Sequence, residues 1–130
     1  MSGTRMPIIS KRAFNFDNGS ATVVAVKAVD VTNWREGTLL VRVHESGVAS
    51  SSTLKVEAYI TAPSQEEPSV DFVGTTAKAT CTLDSSSSAG DLEVAALSDD
   101  FGAYLQINVV GTQSGGNCNA TISAELVLKT

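Results

Sequence analysis

Apolar and polar residues alternate in short stretches along most of this chain, and breaks rich in Ser, Gly and Asn separate the stretches. A period of two marks a strand with one face buried, because successive side chains point to opposite sides of a sheet. Over residues 38–45, Leu39, Val41 and Val43 take one side and Arg42 and His44 the other. Over 53–62, Leu54, Val56, Ala58 and Ile60 oppose Lys55, Glu57, Tyr59 and Thr61. Over 103–110, Leu105, Ile107 and Val109 oppose Tyr104, Gln106 and Asn108. The closing stretch sets Ala120, Ile122, Ala124, Leu126 and Leu128 against Thr121, Ser123, Glu125 and Lys129. Residues 12–16, 21–29, 70–73 and 76–83 read as further strands, and 91–97 as a strand or a loop with one turn of helix. The pattern predicts an all-β fold, an antiparallel β-sandwich or jelly roll of about eight strands with little or no helix.

The breaks supply the turns. Asp17-Asn18-Gly19-Ser20 is a strong turn signal, and 46–52 is expected to join its two neighbouring strands as a hairpin. Pro63 to Pro68, carrying Glu66 and Glu67, reads as an acidic surface loop, and the four serines within 84–90 as a mobile loop tip. Val23, Val24 and Val26 make one stretch apolar on both sides, which suggests a central strand or one partly covered by a neighbouring subunit. A length of 130 residues suits one domain, placed at 12–130, with 1–11 as a flexible N-terminal arm that orders on contact through Ile8 and Ile9. That arm contains no long apolar run, so neither a signal peptide nor a membrane anchor is expected.

Composition narrows the chemistry. Only 5% of residues are aromatic, which predicts a thin core of Val, Leu, Ile and Ala. Nine Lys and Arg are scattered among fourteen Asp and Glu for a net charge of −5, which argues against nucleic acid as a partner. Parity places Cys81 and Cys118 on inward faces, either as reduced core thiols or as a disulfide between strands, and their spacing with one histidine does not suit zinc. His44 lies on the face opposite the core, which suits a solvated or interface residue better than a catalytic base. Glu66-Glu67 and Asp99-Asp100 read as solvated loop charges, with Ca²⁺ at Asp91, Asp99 and Asp100 the metal alternative. No catalytic, cofactor or metal site is therefore assigned. Tyr59 and Tyr104 fall on outward parity and, with Trp34, could stack sugars or contact another subunit; Trp34 could equally plug one end of the sandwich.

Val-Thr-Asn-Trp (31–34), Thr-Leu-Leu-Val-Arg-Val (38–43), Ser-Ser-Ser-Thr-Leu-Lys-Val-Glu-Ala-Tyr-Ile (50–60), Ala-Tyr-Leu-Gln-Ile-Asn-Val-Val-Gly-Thr (103–112) and Ala-Thr-Ile-Ser-Ala-Glu-Leu-Val-Leu-Lys (120–129) follow one another in an order that resembles small virion proteins of tailed bacteriophages. The similarity is to capsid decoration, or cement, proteins with a jelly-roll-like sandwich, and it rests on strand patterns over the last three quarters of the chain. It implies a non-enzymatic structural subunit, made in the host cytoplasm and located on the virion's capsid surface. The major capsid protein would be its partner, and it would form a homo-oligomer, a trimer or dimer, with no cofactor, nucleic acid or membrane involved. Ile8, Ile9, Val24, Trp34, Tyr59 and Tyr104 are the candidate interface residues. A carbohydrate- or receptor-binding module and a tail-tube or tail-completion subunit are the alternatives.

Overall fold

The computed structural model describes residues 3–62, 72–98 and 101–130, and these form nine β-strands and no helix. The strands are β1 (Gly3–Asn15), β2 (Ala21–Asp30), β3 (Glu36–Val48), β4 (Thr53–Ala62), β5 (Phe72–Val73), β6 (Ala79–Leu83), β7 (Leu92–Ala96), β8 (Tyr104–Thr112) and β9 (Cys118–Lys129). Sheet A has the order β1-β9-β3-β7, and sheet B the order β2-β8-β4-β5, with β6 also pairing β4. All pairings are antiparallel. Since β5 pairs Thr61–Ala62 and β6 pairs Leu54–Ala58, the two lie along the same side of β4 and share one position in the sheet. Eight strand positions remain, and consecutive ones alternate between the sheets except for β4 and the β5/β6 position, which are neighbours in sheet B. This is the jelly-roll arrangement expected from the sequence.

Alternation decides which face is buried. Leu39, Val41 and Val43 of β3 and Ile122, Leu126 and Leu128 of β9 meet Leu54 and Val56 of β4 and Leu105, Ile107 and Val109 of β8, each essentially inaccessible to solvent. The core is less purely aliphatic than the composition suggests, because Phe14, Phe16 and Phe101 are all buried in it. The Phe16 ring lies against Gly111 of β8, where a Cβ would overlap it. Gly37 similarly lies against Leu97 and Leu128. Asp17 ties the β1–β2 turn to β9: its carboxylate accepts from the Cys118 backbone N–H at 2.7 Å and from Asn119 Nδ2 at 3.0 Å.

Three expectations are corrected. The strands over 38–45 and 53–62 do not form a hairpin: β3 pairs β7 and β9, while β4 lies in the other sheet. Residues 49–52 carry the chain across, held by Ala49 N–H to Asn117 O at 2.8 Å and by the buried Ser52, whose Oγ accepts from Ser114 N–H at 3.0 Å. From Gly3 onward, the segment expected as an arm is part of β1 and pairs β9, with Ile9 buried and Ile8 packed against the core. Register shifts at Pro7/Ile9 and Ile9/Arg12 break its period of two. Finally, β2 is an edge strand and not a central one. A register shift between Val24 and Val26 pairs Val23 with Val109 and Val26 with Ile107, so both face inward while Val24 faces out, 49% exposed.

Candidate functional site

The outer face of sheet A is built by four strands whose outward residues follow from their register. Side chains paired across strands share a face. Pro7, Glu125, Leu40 and Val94 form one row, and Ser123, Arg42 and Leu92 the next. Thr38, Ala96 and Val127 continue the surface on the other side. Arg5, Pro7, Leu40, Arg42, Leu92 and Glu125 border a groove of 280 Å³. Arg5 pairs with Glu125 through Nη2 and Oε1, with a second contact from Nε to Oε2 at 3.3 Å. The hydrogen bond from Arg5, helped by the charges of Arg5 and Arg42, holds the Glu125 carboxyl below its ordinary pKa. The Arg42 side chain makes no hydrogen bond and no ion pair among the described residues.

β7 is turned the wrong way for a solvated edge. Leu92 and Val94 are 49% and 58% exposed on the outer face, while Glu93 and Ala95 pair Val41 and Leu39 on the inner side. A shift of one residue would bury the two aliphatic side chains and release the carboxylate. In sequence, residues 91–97 read equally as a strand or as a loop with a helical turn, which leaves the exposure of Leu92 and Val94 unmarked. The alternation Leu92, Val94, Ala96 is visible in the sequence, but its direction is not, because an apolar row on a strand is ordinarily taken as the buried one.

The outer face of sheet B has a different character. Tyr59 pairs Gln106, and Tyr104 pairs Thr61 one row away, so the two tyrosines lie diagonally across β4 and β8. Glu57 and Asn108 occupy the adjoining row with Val24. Gln106 is only 9% exposed and donates through Nε2 to Asn108 Oδ1 at 3.0 Å. Burial raises the Tyr59 pKa, and the charge of Glu57 adds to the effect. Trp34 is not part of this face: it is half-buried against the core in the β2–β3 connection, its backbone N–H donating to Val31 O at 3.1 Å. The structure thus brings together Val24, Tyr59 and Tyr104 of the candidate interface residues. Ile9 belongs to the core, and Ile8 and Trp34 pack against it.

The groups considered for catalysis do not assemble further. His44 lies in the β3 bulge between Val43 and Glu45, and its Nε2 is 3.0 Å from Ser123 Oγ. No carboxylate orients that ring among the described residues, so the pair has the first two members of a nucleophile-base-acid set and lacks the third. Cys81 and Cys118 are both buried, and of the two alternatives left open by the sequence they are free thiols, with no disulfide between them. Their Sγ atoms donate to Leu39 O at 3.7 Å and to Thr53 O at 3.4 Å. Burial, with Glu93 nearby, pushes the Cys81 thiol up to about 11, and burial raises Cys118 as well. No three His, Cys, Asp or Glu side chains converge among the described residues. Glu66, Glu67, Asp99 and Asp100 lie outside those residues.

No protein-family model matches this sequence, and no curated protein matches it. Among solved structures the chain is similar to one in the structure of infectious bursal disease virus Gx strain. The TM-score is 0.52 with 16% identity, over 98% of this chain and 31% of that one. A chain in the structure of the Gt strain of that virus gives a TM-score of 0.47 and 13% identity, over 98% and 32%. The likeness is one of fold, and this chain spans about a third of the length of the viral chain it matches. A fold of this kind therefore occurs in a virus particle, and double-sheet jelly rolls in general recur in viral capsid and lectin domains.

Proposed function

We propose that this protein is a non-enzymatic structural subunit of a virion, a decoration protein that binds the outer surface of a tailed-phage capsid and stiffens the shell by bridging neighbouring copies of the major capsid protein. The observation that carries the reading is β7, which presents Leu92 and Val94 to solvent while Glu93 faces inward. An apolar row at an open sheet edge exposes the chain to unwanted pairing, and it is retained where a partner covers it. The jelly-roll topology and its likeness to a chain of a virus particle support the virion role, and the resemblance to phage cement proteins supports decoration in particular. Stabilisation would follow from mass action, because a subunit that binds only the assembled shell favours it by about 2.7 kcal/mol at one hundred times its Kd. Assembly as a trimer or dimer belongs to the same proposal.

Purified particles test it. Quantitative mass spectrometry should find this chain in numbers comparable to the capsid subunit, and electron cryomicroscopy should place it outside the shell with sheet A toward the capsid. A few copies per particle would favour a tail component instead, and absence from particles would overturn the reading. One observation favours a second reading, carbohydrate binding: Tyr59, Tyr104, Gln106 and Asn108 share the outer face of sheet B as an aromatic and amide surface. Glycan-array binding lost in Tyr104→Ala would support it.

A further inference from the structure

Resting on the reading of sheet A as the docking face, we propose that its occupant is an extended aliphatic segment of the partner protein, carrying one acidic residue. The segment adds to the open edge of β7 as the fifth strand of sheet A. Among the described residues β7 pairs β3 on one side and no strand on the other, so its outer edge offers unpaired backbone donors and acceptors. Edges that must stay single are ordinarily blunted by lysine, proline, a bulge, shortness or an inward charge; β7 is short and turns Glu93 inward, yet it has no lysine, proline or bulge and its outward row is apolar. The outward residues of β7 are Leu92, Val94 and Ala96, paired to β3 without a register shift. Strand addition satisfies the backbone, and alternate side chains of the incoming segment cover the apolar row.

Charge sets the chemistry of the occupant. The groove beside Leu92 holds two guanidiniums, Arg5 and Arg42, and one carboxylate, Glu125, which Arg5 engages. Arg42 shares a row with Leu92, so an added strand would run two strand spacings from it, roughly 10 Å. An arginine and a glutamate side chain reaching over Leu92 together span that distance. A second copy of this chain fits less well. Two-fold pairing of β7 about Val94 sets Leu92 against Ala96 across the axis and offers Arg42 the neighbourhood of Thr38, with no carboxylate. Two chains of net charge −5 also repel at long range.

The test uses the full chain and two synthetic peptides of alternating Val and Thr, one with a single glutamate on the valine face and the other with lysine in its place. Amide NMR shifts locate binding, and titration gives the Kd. The glutamate peptide should shift β7 and β3 and bind about tenfold more tightly than the lysine peptide. Arg42→Glu should reverse that order, and Val94→Ser should weaken both while leaving the melting temperature near that of the parent, since the side chain is exposed. Equal binding of the two peptides, no binding of either, or an order unchanged by Arg42→Glu overturns the inference. So does concentration-dependent dimerisation abolished by Val94→Ser, which would make the occupant a second copy. Particle counting is independent of this result: abundance in virions without peptide binding removes strand addition alone, and peptide binding without virion association removes the decoration reading alone.

Discussion

Replacing Gly111 with alanine tests the packing of the sandwich at its Phe16 end. Gly111 is buried in β8, and a Cβ there would come within 2.7 Å of Phe16 Cβ and overlap the ring. Carbon atoms in contact are ordinarily about 3.5–4.0 Å apart. The ring has little room to retreat, being 4% exposed with its backbone N–H bonded to Cys118 O at 2.7 Å. Overpacking of this kind costs about 1–3 kcal/mol, and it outweighs the gain of roughly 0.5–1 kcal/mol that alanine brings over glycine in a strand. We expect a net loss of about 1–2 kcal/mol, near 3–10 °C in Tm for a domain of this size. Phe16→Ala alone should cost about 3–5 kcal/mol through lost burial and a cavity. With the ring absent, Gly111→Ala should be close to neutral or stabilising, giving a coupling of at least about 1 kcal/mol between the sites. Urea unfolding followed by fluorescence of Trp34, half-buried against the core, supplies the four stabilities. If Gly111→Ala costs the same in both backgrounds, the contact is not what requires glycine.

Further outcomes follow from the charged and thiol groups. Cys81, raised to about 11 by burial and Glu93, and Cys118, also raised by burial, should resist alkylation at pH 8 in the native state and react once urea unfolds the chain. The hydrogen bonds from Asn119 and Cys118 lower the folded pKa of Asp17, so its contribution is fully present above the unfolded carboxylate value near 3.9 and is lost as pH falls through the folded value. Asp17→Asn should therefore flatten the acid limb of a stability-pH curve below about pH 4, while changing its slope little near neutrality. Arg5→Ala should leave the urea midpoint nearly unchanged, because that side chain is 65% exposed in its pair with Glu125 and water screens the attraction.

Much of the architecture could be read from local alternation, because inward parity is a property of each strand by itself. Leu54, Val56 and Ala58, Leu105, Ile107 and Val109, and Cys81 and Cys118 all lie inside as their positions indicated. What failed were features with no local signature. The crossing at 49–52 depends on Ser52 meeting Ser114, far away in the chain. The apolar doublet in β2 needs a bulge to resolve it, and the bulges of β1 scramble the period that would have marked it as a strand. Pro7 is compatible with that strand, since proline is tolerated on an edge strand such as β1. Of the proposed interaction surfaces, Tyr59 and Tyr104 were legible as outward residues. Leu92 and Val94 were not, since a row of aliphatic side chains says nothing by itself about whether this chain or another one covers it.

The position of β9, between β1 and β3, bears on how the chain reaches this state. Until residues 118–129 have left the ribosome, the strands meant to flank them have no neighbour between them, and half of the sandwich cannot zip up. Closure of this sheet must then wait for β9, and pairings as distant as Gly3 with Lys129 make it slow. During that interval the exposed rims of β1 and β3 are open to capture by other nascent chains, so yield on expression should depend steeply on temperature and on chaperone supply.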